Sequence, residues 1–192
     1  MAEEIITEII DEEICLIKLN RPETLNSLNK TLVDCLSLEI KNCELNDNIR
    51  SIVITGNGRG FCAGADLANG GWPTNKNWNA GQATANAMEI GFNPLVRSIV
   101  NSKKPVIHAI NGIAAGGGVG LALCGDIVIA SDKAKFKLVF GPQLGIIPDV
   151  GASWLVPNLI GRAKANGLAL LGDDLDAKTA CDWGLIWQVV QD

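Results

Sequence analysis

The sequence predicts an α/β fold of stacked strand-strand-helix turns, on three observations. The order strand, glycine turn, apolar helix occurs from Ser51 onward and again from Val106 onward. Gly116, Gly117 and Gly118 sit between an apolar strand-like run, Pro105 to Ile110, and a helix-like run, Val119 to Leu123. A length of 192 residues with 47% hydrophobic residues fits one domain with an ample core. A repeated unit of this kind favours superhelical stacking over a doubly wound sheet.

Each element follows from local pattern. Ile5 to Ile10 and Ile14 to Leu19 read as two strands joined across Asp11, Glu12 and Glu13. After Asn29, the apolar positions Leu32, Leu36, Ile40 and Cys43 fall at helical spacing, and the run ends near Asn46, Asp47 and Asn48. Ser51 to Thr55 is a strand, and the glycine-rich segment Gly56 to Leu67 follows at once. Asn69 to Gln82, rich in Asn, Gly and Trp and without periodicity, reads as a mobile surface loop placed to cover a substrate. A helix from about Ala83 to Asn101 leads to the strand Val106 to Ile110 and the glycine triplet. Strands at Asp126 to Ala130 and Phe136 to Leu138 come next, then helices at Ala152 to Ile160, Arg162 to Leu171 and Ala177 to Trp183. A last strand covers Ile186 to Val190.

Charge and cysteine usage narrow the function classes. The net charge of −5, with no basic run, disfavours a nucleic-acid partner. The 6 cysteines show no C-x-x-C pair and no neighbouring histidine pair, which argues against a zinc site or a disulfide framework and for reduced thiols in a cytoplasmic setting. The acidic start lacks the basic head of a signal peptide, and no apolar stretch is long enough to span a bilayer, so no membrane partner is expected.

Glycine turns bring backbone N–H groups close to a ligand, and a helix starting at one turns its positive dipole end toward that ligand. Gly58, Gly60 and Ala63 formally match G-x-G-x-x-A after a strand. The nearby Asn69, Gly70, Gly71, Trp72 and Pro73 would break the required helix, and no acidic residue lies about twenty positions on to hold a ribose. No P-loop motif occurs. Two glycine turns on neighbouring units can instead each point one N–H at the same oxygen, forming an oxyanion hole, where the loss of one donor costs about 3 kcal/mol of transition-state stabilisation.

Several motifs together carry a family resemblance along nearly the whole chain. They are Leu19, Asn20, Arg21 and Pro22 with Leu25, Asn26, Ser27 and Leu28; Ile54, Thr55 and Gly56; and Phe61 through Leu67. Asn111 and Gly112 with the glycine triplet, and Leu144 through Asp149, complete the set. The chain resembles the crotonase family, the enoyl-CoA hydratases and isomerases. That resemblance implies a crotonase-like ββα superhelix that binds acyl-CoA thioesters, needs no cofactor beyond the CoA moiety of its substrate, and assembles as homotrimers or hexamers. It implies one core domain over residues 1–192 that lacks the C-terminal trimerisation helices of full members. Carried over by motif, the N–H groups of Ala65 and Gly117 are the thioester-oxygen donors. Ala63, Ala65, Asp66, Leu67, Gly116 and Gly117, with Thr24, Leu25 and Asn26, form the wall for the CoA portion.

The same resemblance bears on the chemistry. Family hydratases handle water with two glutamates; the first position is Gly120 here, and the second falls near Phe140 or Gly141, none of which can transfer a proton. Asp149 resembles the catalytic acid of the isomerase branch, which includes epoxy-phenylacetyl-CoA isomerases. Its apolar neighbours Ile146, Ile147, Val150 and Trp154 would raise its pKa toward that of a general base. Four other readings remain open for this chain: Asp149 as a helix N-cap, an enoyl-CoA hydratase, Asp149 as a nucleophile like that of aroyl-CoA dehalogenases, and a non-catalytic CoA-binding or assembly subunit. Asp66 reads as a turn residue with a binding role by proximity, His108 as a core histidine and Cys62 as a packed thiol. Trp72 and Trp78 are the tryptophans placed to meet an acyl group.

Overall fold

The computed structural model describes residues 3–68 and 70–191. Its elements in chain order begin with β1 (Ile5–Ile10), β2 (Ile14–Leu19), α1 (Lys30–Leu45), β3 (Ser51–Gly56), β4 (Gly60–Cys62), α2 (Ala80–Ala87) and α3 (Asn93–Val100). They continue with β5 (Val106–Ile110), β6 (Ile113–Ala115), α4 (Gly117–Leu123), β7 (Ile127–Ser131), β8 (Lys135–Lys137), α5 (Ala152–Ile160), α6 (Arg162–Leu171), β9 (Leu175–Asp176), α7 (Ala177–Asp182) and β10 (Gln188–Val190).

The strands form two sheets, ordered β1-β2-β3-β5-β7-β10 and β4-β6-β8-β9. Each full turn of chain puts one strand in each sheet and then adds a helix. Thus β3, β5 and β7 pair in parallel in the first sheet, and β4, β6 and β8 pair in parallel in the second. This is the ββα superhelix expected from the repeat. The opening hairpin is antiparallel, with Ile10 opposite Ile14, and Asp11 and Glu12 take left-handed φ values of 48° and 63° to close it.

Local chemistry explains the element ends. The Asn29 side chain caps α1 by accepting from Leu32 N at 2.7 Å. The helix expected from Ala83 begins at Ala80, because Asn79 and Gln82 form a reciprocal capping box. That helix is continuous to Val100 but passes through a π-turn at Met88–Phe92. The very short strands β4, β6 and β9 carry too few residues to show a period, and the sequence pattern reveals none of them. The irregular segment before α2 is described from Gly70; Asn69, where the loop was expected to begin, lies outside the described residues, as do Met1, Ala2 and Asp192.

The core runs between the layers. Every residue of α4 is buried, so this helix is apolar all round and sits at the centre. His108 is fully buried on β5, with Nδ1 bonded to the Ala122 carbonyl at 2.9 Å, and burial lowers its pKa to about 4. It is a neutral core histidine, as its mid-strand position suggested.

The Asn26 side chain serves the fold: it is fully buried and bonds Arg21 N at 2.8 Å, Asn57 O at 3.0 Å and Gly60 O at 2.8 Å. It ties the turn before α1 to the corner between β3 and β4. Replacing Asn26 with Ala strands those buried backbone groups, so urea unfolding is expected to show a loss of about 2–4 kcal/mol.

Candidate active site

The parallel pairing of β4 with β6 sets their exits side by side, and both exits are glycine turns. Gly64 and Gly116 adopt φ values of 94° and 53°, a region that disfavours any side chain. The turns touch: a Cβ on Gly64 would lie 3.1 Å from Gly117 N. Leu28 N donates to Gly64 O at 2.7 Å, and Asp66 N donates to Leu28 O at 3.0 Å. The intervening Ala65 N–H therefore points away from this bridge, because successive N–H groups of extended chain alternate sides. Gly117 opens α4, where the first N–H groups have no intrahelical partner. Among the described residues, nothing accepts a hydrogen bond from Ala65 N or Gly117 N.

Both donors line a cavity of about 400 Å³. Its walls are mostly apolar, including Trp72, Met88, Phe92, Val139, Phe140 and Ile146. Trp72 packs on Phe92 with ring centroids 4.6 Å apart. Of the expected binding residues, Ala63, Ala65, Asp66, Leu67, Gly116 and Gly117 line this cavity. Thr24, Leu25 and Asn26 do not. Leu25 instead supports the turn, since its carbonyl accepts from Ala63 N at 2.9 Å. Trp72 lines the cavity, whereas Trp78 is absent from its walls.

The Asp66 carboxylate is engaged in holding the turn. It pairs with Arg21 at 2.9 Å, with both side chains largely buried, and it accepts from Ala68 N at 3.2 Å. Arg21 also donates to Ser27 O at 2.6 Å and pairs with Glu4 at 3.1 Å, so one guanidinium knits three segments. Cys62 is fully buried, and burial pushes its thiol up to about 12, which makes it a packing group.

Asp149 lines the same cavity. Its Oδ1 lies 3.5 Å from where a Cβ on Gly117 would stand, is buried, and has no hydrogen-bond partner among the described residues. Burial raises its pKa from 3.8 to about 6. The residue is not a helix cap: α5 begins at Ala152, its N-cap is Gly151, and no side chain caps it. The placement comes from Val150, which holds φ at 49°, unusual for a β-branched residue. A Cβ on Gly120 would lie 2.1 Å from the Val150 carbonyl oxygen, so only glycine admits this backbone. No sequence signal marked this contact beyond the glycine itself.

The arrangement can hold an oxygen that gains charge and move a proton beside it. Free N–H groups on two neighbouring glycine turns suit an oxyanion, and a carboxyl with one unpartnered oxygen and a pKa near neutrality suits a general acid or base.

Comparison with known proteins places the chain in a family. Residues 9–192 match the family model described as enoyl-CoA hydratase/isomerase. The chain is 48% identical over 190 residues to 1,2-epoxyphenylacetyl-CoA isomerase of Escherichia coli (strain K12), covering 98% of this chain and 71% of that protein. It is 37% identical over 183 residues to a protein of Rhodobacter capsulatus described as a probable enoyl-CoA hydratase, covering 95% of this chain and 67% of that one. The crystal structure of an enoyl-CoA hydratase from Bacillus anthracis superposes with a TM-score of 0.87 at 32% identity, over 98% of this chain and 70% of that one.

The Asp149 carboxyl also sets a pH dependence of stability. Its folded pKa lies above the unfolded value, so the folded chain binds the extra proton between roughly pH 4 and 6, and folding strengthens as pH falls through that window. At neutral pH the buried charge is unfavourable by on the order of 1–2 kcal/mol once partial solvent contact is discounted. Asp149→Asn is therefore expected to raise Tm at pH 7.5 by about 2–8 °C. In melts across pH, that advantage should shrink toward pH 4.

Proposed function

The chain belongs to the enoyl-CoA hydratase/isomerase family, and we propose that within it this protein is an acyl-CoA isomerase. Asp149 removes a proton from one carbon of the acyl chain. The electrons move onto the thioester carbonyl, and the resulting enolate oxygen is held by the N–H groups of Ala65 and Gly117. Asp149 then returns the proton to a different carbon, so the double bond shifts. As pure proton transfer, this chemistry calls on no cofactor beyond the CoA moiety of the substrate.

The observation that carries the reading is the buried, unpartnered Oδ1 of Asp149 beside Gly117. Hydration through a pair of carboxylates fits less well. At Gly120, where the first would stand, the Val150 carbonyl fills the space of a side chain, and the second position falls on the buried Phe140 or on Gly141. The name of the Escherichia coli relative lies on the isomerase side as well.

The test offers a 3-enoyl-CoA and a 2-enoyl-CoA and follows double-bond migration and hydration separately. Migration is expected with the first substrate; hydration of the second without any migration would contradict the proposal. Asp149→Asn should lower kcat by about 10²–10⁴-fold while leaving far-UV circular dichroism unchanged. Because the base form of Asp149 is the active one, kcat/KM should fall about tenfold per pH unit below the carboxyl's pKa of about 6.

A further inference from the structure

Three ligand-type side chains from β2 and α1, none of which lines the cavity, converge. Cys15 on β2 is fully buried, and Cys43 in the last turn of α1 is nearly so. Glu39 lies one helical turn before Cys43, and this i,i+4 spacing puts both on one face of α1. The Cys15 Sγ lies 4.0 Å from Glu39 Oε1, and the two sulfurs and the carboxylate oxygen all fall within 4.8 Å of one another. No local Cys spacing announces this cluster, because one thiol comes from a strand and the other from a helix 28 residues later, 43 less 15. This is why counting C-x-x-C pairs pointed away from zinc.

We propose that Cys15, Glu39 and Cys43 form a three-ligand site for one zinc ion, with water as the fourth ligand. Zinc bonds thiolate sulfur at about 2.3 Å and carboxylate oxygen at about 2.0–2.2 Å, so a tetrahedral site needs sulfur and oxygen about 3.5 Å apart. The Cys15–Glu39 separation of 4.0 Å is somewhat longer than that, and all three ligand atoms lie within 4.8 Å of one another, so side-chain adjustment has to draw them onto the ion. Two thiolates favour a soft or borderline ion over calcium or magnesium, which take oxygen ligands.

The surroundings support the ligand set. Glu39 Oε2 accepts from Asn42 Nδ2 at 3.0 Å, which orients the carboxylate. Lys104 Nζ donates to the carbonyl of Cys43 at 2.6 Å, placing a positive charge beside it. Two thiolates and one carboxylate carry three negative charges, so with a divalent ion and Lys104 the local charge is neutral. Binding displaces one proton from each thiol to solvent. The bound ion would tie the end of α1 to the sheet, a structural rather than catalytic role.

The test titrates reduced, chelator-treated protein with cobalt(II), then displaces the cobalt with zinc. One equivalent of cobalt should give a thiolate-to-metal charge-transfer band with strong tetrahedral d–d bands, and one equivalent of zinc should remove both. Cys35→Ser with Cys181→Ser should keep the signal; Cys15→Ala with Cys43→Ala should abolish it. Glu39→Gln, whose effect on folding is checked by circular dichroism, should weaken zinc binding at least about tenfold. The proposal is overturned by a folded wild-type chain that shows no charge-transfer band, or by unchanged zinc affinity in folded Glu39→Gln. A signal lost in the Cys35/Cys181 variant would equally overturn it.

Discussion

The backbone at Val150 is wedged against α4, and the geometry of the site depends on that contact. A valine at a φ of 49° carries local strain of about 1–3 kcal/mol, so the surrounding packing has to enforce it. The enforcement comes from two glycines. The Val150 carbonyl occupies the space of a side chain at Gly120, and its Cγ2 lies 2.8 Å from where a Cβ on Gly117 would be. The residue before this wedge is Asp149, which is thereby held beside the Gly117 N–H with its Oδ1 buried and unpartnered. Gly120 therefore does more than lack a carboxylate: it makes room for the segment that brings one from elsewhere.

The superhelix supplies the other half of the arrangement. β4 and β6 are parallel neighbours, so the turns that follow them lie close together and Ala65 and Gly117 line one cavity. The supports behind the first turn are polar and buried: Asn26 under the corner, and Arg21 with Asp66 across it. The supports behind the second are apolar, the fully buried α4. Rigid surroundings on both sides are what a paired donor site requires, since its effect depends on dipoles fixed before charge develops.

The sequence made much of this legible, for physical reasons that can be named. The opening hairpin, α1, β3, β5, α5 and α6 each carry a clear period or boundary residue and appear where the pattern places them. The start of α2 was readable in principle from Asn79 and Gln82, a capping box that the loop-like composition around it obscured. Strands of two or three residues, such as β4 and β9, are fixed by pairing with distant chain and leave no local trace. At the site, the two glycine turns and Asp149 were visible as residues. The bracing role of the Asn26 side chain is not legible, because a polar residue in a turn shows its burial only once the corner it braces is formed. The cluster of Cys15, Glu39 and Cys43 was hidden for a related reason, since only packing of a strand on a helix joins it.

The central claim is that the Asp149 carboxyl keeps one oxygen buried and without a hydrogen-bond partner in the cavity that Ala65 and Gly117 also line. Carbon-13 NMR of the side-chain carboxyls across pH, with the Asp149 signal assigned by its loss in Asp149→Asn, measures this directly. The account predicts a titration midpoint near 6. A midpoint at the ordinary aspartate value of about 4 would contradict it, because such a carboxyl would be solvated rather than partly desolvated in the cavity wall.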